Sequence, residues 1–314
     1  KSKMKRKTFI QQAAAAGVFT GIGGLGLLTS SFKSPVKHIT ILHTNDVHSH
    51  IEAFPADDAK FPNQGGVSRR YTLIEAIRKE NPNTLLLDAG DIFQGTPYFN
   101  FYGGELEFKL MSEMHYDAAT IGNHDFDNGL SGLHKQLPHA KFPFLCANYD
   151  FSDTLLNGKF ESYKVFKKAG LKIGVFGIGI QLKGLVPKAL YGNTIYANPV
   201  EKSNHYANHL KNELGCDLVI CLSHLGYKYK SEKISDYILA EQTKNIDLII
   251  GGHTHTFLNT PVTKINSEQK QILIAQVGWA GIKVGQIDYF FSQKKVIENF
   301  FGASISVKNK QKWS

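Results

Sequence analysis

Five short clusters in the chain set metal-ligating side chains just after apolar runs. In the first, Thr44-Asn45-Asp46-Val47-His48, the acid and the imidazole are two residues apart. Positions i and i+2 of extended backbone point the same way, so Asp46 and His48 converge on one cation. Gly90-Asp91 places a carboxylate after the run Thr84–Ala89, where it is able to bridge two cations. Gly122-Asn123-His124-Asp125-Phe126-Asp127 supplies an amide oxygen, an imidazole and, in Asp127, a carboxylate close enough to orient that imidazole. His224 ends a fourth run, and Gly251-Gly252-His253-Thr254-His255 ends a fifth with two imidazoles on one side of a glycine loop.

Each cluster alone has an ordinary reading. Asp91 suits a turn or cap, Asn123–Asp125 suits a turn before a helix, and a lone His224 suits a structural role. Five such clusters at five strand ends together supply two sites rich in nitrogen and oxygen donors. A pair of divalent ions sharing a carboxylate and a water is the apparatus of in-line phosphoryl displacement. The donor set suits zinc, manganese or iron. His43 and His50 flank the first cluster and are expected to support its ligands from outside. The remaining histidines read as structural or solvated. Cys146, Cys216 and Cys221 fall among no ligand cluster and form no disulfide framework.

The elements that must position these groups alternate between strands and helices. Strands are expected at 38–44, 84–89, 117–121, 142–147, 173–180, 217–223 and 246–251, and helices at 68–80, 105–114 and 200–214. The stretch 84–89 is a continuous apolar run, as for a strand buried on both faces. From residue 271 to 306 the pattern turns to successive strands without helices. Alternation followed by a strand-only tail points to a mixed sheet or two packed sheets covered by helices. Parallel strands carry functional residues on the loops at their C-terminal ends, where all five clusters fall.

Charge sharpens this picture. The formal net charge is +9, from 36 Lys/Arg and 27 Asp/Glu in 314 residues. Residues 1–31 carry five of the nine, through Lys1, Lys3, Lys5, Arg6 and Lys7, with no acid. That basic head precedes an apolar, Gly-rich run at 13–28, the layout of an export signal. Arg6-Lys7-Thr8-Phe9-Ile10-Gln11 resembles a twin-arginine signal with Lys for the second Arg. The run is too short for a stable membrane span, so the expected location is periplasmic or cell-surface. The remaining +4 on residues 32–314, with only Arg69, Arg70 and Arg78 as arginines and no basic-aromatic stripe, argues against a nucleic-acid partner.

The ordered motifs D-x-H, G-D, G-N-H-D, H and G-H-x-H resemble the calcineurin-like metallophosphoesterase superfamily over about 39–255. The fuller texts HTNDVHSH, DAGDIFQGTPYF, ATIGNHDFDNG, LSHLGY and IGGHTH resemble the catalytic domain of the 5'-nucleotidase family. The resemblance implies an α/β (α+β) four-layer sandwich of two mixed β-sheets flanked by helices. It implies that Asp46, His48 and His255 hold one metal, that Asn123, His224 and His253 hold the other, and that Asp91 bridges them. His124, oriented by Asp127, would face the phosphate, with Asn123 beside it on the substrate side. The implied reaction is hydrolysis of phosphate monoesters, nucleoside 5'-monophosphates first, by in-line attack of a hydroxide bridging the metals. The expected organisation is an export signal at 1–31, a linker at 32–38, a catalytic domain at 39–307 and a basic tail at 308–314. Family members carry a second, nucleobase-clamping domain, absent from this sequence. A separate partner chain would supply it, or other phosphate esters would be accepted. Rival readings are a phosphodiesterase for nucleotide sugars or cyclic nucleotides and a non-catalytic metal-binding partner module.

Overall fold

The computed structural model describes residues 36–308. The export signal read at 1–31, most of the linker and the basic tail after Lys308 lie outside the described residues. In chain order the strands are β1 (Lys37–Thr44), β2 (Thr84–Asp88), β3 (Ala118–Ala119), β4 (Tyr149–Asp150), β5 (Tyr163–Lys168), β6 (Leu171–Ile178) and β7 (Ile195–Tyr196), then β8 (Leu218–Ser223), β9 (Leu248–Gly251), β10 (Val262–Ile265), β11 (Gln271–Ala275), β12 (Lys283–Phe291) and β13 (Ile297–Ser306). One sheet runs β13-β12-β1-β2-β3, with β1, β2 and β3 parallel and β12 and β13 antiparallel. The other runs β10-β11-β9-β8-β6-β5, parallel except at its two edges. A small antiparallel pair, β4 and β7, stands apart.

Strand alternation divides the core into three. Ile39 and Ile41 of β1 and Leu85 and Leu87 of β2 meet Val175, Ile220 and Leu248 of the second sheet. Leu42 and Leu86 point the opposite way, into a core shared with Ile74, Phe108, Met111 and Leu133 from helices. Val219, Cys221 and Ile249 face outward from the second sheet onto Ala207, Leu210 and Leu239. Three cores separate four layers, helix–sheet–sheet–helix, so the expected mixed-sheet sandwich is the observed architecture. β2 is buried along its whole length, as its unbroken apolar text predicts. All three cysteines are free and buried.

Several elements depart from expectation. The strand-only tail divides between the two sheets: β11 joins the second, β12 and β13 the first. Residues 142–147 form no regular strand. Their amides are shared among different partners, Leu145 N–H donating to Ala119, Cys146 N–H to Glu161 and Ala147 N–H to Gly177. The segment is pinned between β3 and β6 instead of pairing along one neighbour. The expected helix at 200–214 is α-helical over Pro199–Asn208 and widens to a π-turn at His209–Glu213.

Candidate metal centre

The C-terminal ends of β1, β2 and β3 in one sheet and of β8 and β9 in the other meet at a common edge, and each delivers one cluster. Asp46 and His48 follow β1, Asp91 follows β2, Asn123 and His124 follow β3, His224 follows β8, and His253 and His255 follow β9. Hydrogen bonds tie the first two loops together: Asp46 N–H donates to Gly90 O at 2.9 Å and His48 N–H to Asp91 O at 3.1 Å. Asp46, His48, Asp91, Asn123 and His224 are buried, and His253 and His255 half-buried.

Tight turning has a backbone cost at these loops. Asp46, His48, Asp91, His253 and His255 all have positive φ, between 49° and 69°. Non-glycine residues seldom adopt that region, and such strain clusters at functional sites. Gly90, at φ 87°, explains why glycine precedes Asp91. A Cβ there would lie 2.6 Å from Gly122 N and 3.0 Å from His224 Nδ1, so the close approach of three loops requires its absence.

Two groups of side chains form. Asp46, His48 and His255 make one, and Asp91, His224 and His253 the other. In the first, the Nε2 atoms of His48 and His255 lie 3.0 Å apart, and Asp46 Oδ1 is 3.5 Å from His255 Nε2. In the second, Asp91 Oδ2 is 3.0 Å from His224 Nε2, and Asn123 Oδ1 is 2.8 Å from His253 Nδ1. The same Asp91 oxygen is 3.8 Å from His48 Nε2, so it faces both groups. Beside them, His124 Nδ1 pairs with Asp127 Oδ2 at 2.8 Å, and its ring stands 5.2 Å from that of His48.

Electrostatics agree with a cation-binding role. Burial lowers the pKa of His48, pushes His253 down to about 3 and His255 down to about 4, so these rings are neutral with lone pairs available. Burial raises Asp46 well above the usual carboxylate range. For Asp91 burial acts in the same direction, but the adjacent His224 outweighs it and holds the carboxyl low. Conversely, Asp91 overcomes the effect of burial on His224 and lifts it to about 10. Hydrogen bonds from the side opposite the ligand groups fix the ring orientations: His48 Nδ1 faces Phe93 O at 3.1 Å and His224 Nδ1 faces Ala89 O at 2.7 Å. Donation of the His48 Nδ1–H to a carbonyl leaves its Nε2 lone pair directed at the ligand group. His224 Nε2, held 3.0 Å from Asp91 Oδ2, carries its proton while Asp91 alone faces it, and a divalent cation between the two would take the place of that proton. The residues present therefore fit two metal ions bound through nitrogen and oxygen.

Every ligand position singled out in the sequence comes to this edge. His50 stacks on Phe54 at 5.2 Å and meets edge-on, at 5.1 Å, the Trp279 ring that faces His255. His43 is buried against Gly285, and burial brings it to about 3. Three supporting residues escape the motif reading. Asn45 donates to Asp46 Oδ2 and to Gly278 O, each at 2.6 Å, and accepts from Val277 N–H at 2.9 Å. Asp125 accepts from the amides of Asp91, Ile92, Phe93 and Gly122 at 2.7–3.1 Å. Trp279 lies parallel to the His255 ring, 5.7 Å between centroids.

Residues 39–257 match the family model described as calcineurin-like phosphoesterase. The chain is 35% identical over 277 residues to the snake venom 5'-nucleotidase of Crotalus adamanteus, covering 82% of this chain and 46% of that protein. Its fold superposes on a 5'-nucleotidase precursor from Thermus thermophilus with a TM-score of 0.76 at 30% identity, covering 86% of this chain and 54% of that one. A calcineurin-like phosphoesterase from Bacillus subtilis, YfkN, gives a TM-score of 0.72 at 28% identity, covering 87% of this chain and 92% of the other. The chain thus spans about half the length of the curated relatives it matches.

Proposed function

Since the chain belongs to the calcineurin-like phosphoesterase family, we propose that it hydrolyses phosphate monoesters, nucleoside 5'-monophosphates foremost, with two divalent cations. The carrying observation is Asp91 Oδ2, 3.0 Å from His224 Nε2 and 3.8 Å from His48 Nε2, which lets one carboxylate serve both ligand groups. The similarity to proteins named 5'-nucleotidases supports the substrate class.

Asp46, His48 and His255 would hold one cation and Asn123, His224 and His253 the other, with Asp91 placed to serve both groups. Cations bound there supply Lewis acidity and activate water for attack on phosphorus. The protein contributes orientation and proton transfer. The His124 amide donates to Asp91 Oδ1 at 2.8 Å, leaving Oδ2 directed at the ligand groups. His124 Nδ1 is engaged by Asp127, so Nε2 is the atom that faces the ester. The Asp127 hydrogen bond raises the His124 pKa and favours the imidazolium, which stabilises charge on the phosphoryl oxygens and protonates the departing alkoxide. Zinc, manganese and iron all suit the donor set.

We also propose that the protein acts outside the cytoplasm. The basic residues before Thr8 and the apolar run at 13–28 support export, with the periplasm or cell surface as destination and the twin-arginine route favoured by Arg6-Lys7. Among the described residues no helix is long and apolar enough to cross a membrane.

The test is a phosphoester panel on chelator-stripped protein reloaded with zinc, manganese or iron. Metal-dependent phosphate release from nucleoside 5'-monophosphates is the expected result. Hydrolysis confined to diesters, or none on any ester at full metal content, overturns the proposal.

A further inference from the structure

One buried side chain grips the loop that carries a ligand of each group. Gln276, fully buried just past the end of β11, donates from Nε2 to Gly252 O at 2.7 Å. Its Oε1 accepts the backbone N–H of Thr256 and the hydroxyl of Thr254, the latter at 3.1 Å. Residues 252, 254 and 256 are the alternate positions that flank His253 and His255. The Gln276 backbone is anchored in turn, since its carbonyl accepts the Leu258 N–H at 3.1 Å. Thr254, between the two histidines, extends the arrangement to the loop behind His224. Its Oγ1 accepts the Tyr227 N–H at 2.9 Å and lies 2.9 Å from Thr256 Oγ1. With the Thr254 proton given to Gln276, the Thr256 hydroxyl donates to Thr254, so both hydroxyls have an acceptor.

The loop needs such a hold. His253 and His255 sit at φ 69° and 51°, and residues in the left-handed region persist there only where the surroundings over-determine them. His253 belongs to the group with Asp91 and His224, and His255 to the group with Asp46 and His48. The two imidazoles are two residues apart in sequence but serve different groups, so the backbone at Thr254 sets the offset between them. Two other contacts each restrain one histidine: the His253 N–H reaches Asp46 Oδ1 at 2.8 Å, and Trp279 lies parallel to His255. The Gln276 amide instead touches the chain before, between and after the two histidines. Its donor and acceptor stand at a fixed separation on one planar group, so it holds the Gly252 carbonyl and the Thr256 amide at a fixed separation too.

We propose that Gln276 and Thr254 are positioning residues that set the spacing of the two ligand groups, and with it the pairing of two bound cations. The inference rests on the two-cation reading above and not on the substrate. The test is low-temperature electron paramagnetic resonance of protein saturated with manganese(II), with bound metal counted by elemental analysis. The unaltered protein should give the multiline spectrum of two exchange-coupled ions. Gln276→Met, of similar length but without the amide, should give mainly the hyperfine pattern of isolated manganese with both ions bound. Because the loop carries one ligand of each group, both ions should also bind about 10–100-fold more weakly. Thr254→Val should change the spectrum in the same way, and Thr254→Ser, which keeps the hydroxyl, should retain the coupled one. A coupled spectrum in saturated Gln276→Met and Thr254→Val overturns the spacing role, whatever their stability or affinity, and leaves the two-cation reading intact. If Gln276→Met fails to fold, Thr254→Val against Thr254→Ser decides by the same criterion. An unaltered protein that binds fewer than two ions, or two without coupling, defeats the two-cation reading and the spacing role with it. Turnover does not enter the measurement, so failure to hydrolyse any ester bears on the substrate reading and not on this one.

Discussion

The Asp125 carboxylate accepts the backbone N–H of Asp91 at 3.0 Å, although the two residues stand on different strand-end loops. The same carboxylate takes the amides of Ile92 and Phe93 from the Asp91 loop and that of Gly122 from its own. One side chain thus fixes the distance between the two loops that carry Asp91 and Asn123. Asp125→Ala should leave these buried amides unpaired, at about 1–3 kcal/mol each before relaxation. Metal affinity should fall about 10–100-fold, the usual cost of losing a group that holds ligands in place. Asp125→Asn, which keeps one carbonyl acceptor, should fall between. Competition against a chromophoric chelator reads the affinity; unchanged affinity in Asp125→Ala would remove the clamp role.

Variants at His124 and Asp127 test proton transfer apart from metal binding. His124→Ala should keep both metals and lose roughly 10²–10⁴ in turnover. The sign for Asp127 follows from its hydrogen bond, which raises the His124 pKa. An acid with a raised pKa stays protonated to higher pH, so Asp127→Asn should move the alkaline limb of the pH–rate profile to lower pH. Metal analysis alongside the profile checks both statements. A His124→Ala protein with full turnover, or an unmoved alkaline limb in Asp127→Asn, contradicts them.

The glycine before Asp91 offers a purely steric probe. Gly90→Ala asks an L-residue to hold φ 87° and sets a methyl 2.6 Å from Gly122 N. The left-handed backbone alone costs about 1–2 kcal/mol. The clash falls on the loop that carries Asn123 and on the His224 ring. The variant should therefore lose metal as well as stability, with elemental analysis showing fewer than two ions per chain. Two ions retained at unaltered affinity would show that the loops have room to spare.

The strand-end clusters were legible because each lies within a few consecutive residues and follows an apolar run. Their supports were not, because the relationships are long-range. Asp125 reads as part of its own turn, and only the fold shows that three of its partners lie 32–34 positions earlier. Trp279 belongs to the strand-rich tail by pattern, yet it ends beside His255 because the chain returns to the ligand edge after β11. Residues 142–147 misled for a related reason: β-rich text gives a strand only if one neighbour pairs along its length, and here three segments share its amides. Trp279→Ala tests whether proximity matters. Removing the plane against His255 should weaken the metal held by Asp46, His48 and His255 about 10–100-fold, leaving the other ion in place. Equal loss of both ions, or of neither, would deny the ring a specific role.

Asp88 gives a pH dependence independent of the metals. Its carboxyl, buried at the end of β2, is pushed up to about 7 by burial, although Thr44 Oγ1 donates to it at 2.5 Å and Gly90 N–H at 2.9 Å. A folded-state pKa above the ordinary aspartate value of about 3.9 means that the folded chain binds the proton more tightly than the unfolded chain does. Its contribution to stability is therefore complete below the unfolded pKa and is lost as pH rises through about 7. Asp88→Asn is a close isostere. Its carbonyl keeps the Gly90 bond, and its amide is able to donate to Thr44 Oγ1, whose proton then goes to the Tyr116 hydroxyl 2.7 Å away. The substitution removes the titration, so the stability of the variant relative to the unaltered protein should improve by about 4 kcal/mol between pH 4 and pH 8. Urea unfolding in chelator at both pH values measures the difference without metal release contributing. A stability gap that does not change with pH would place the Asp88 proton-binding equilibrium at the same pH in the folded and unfolded chains.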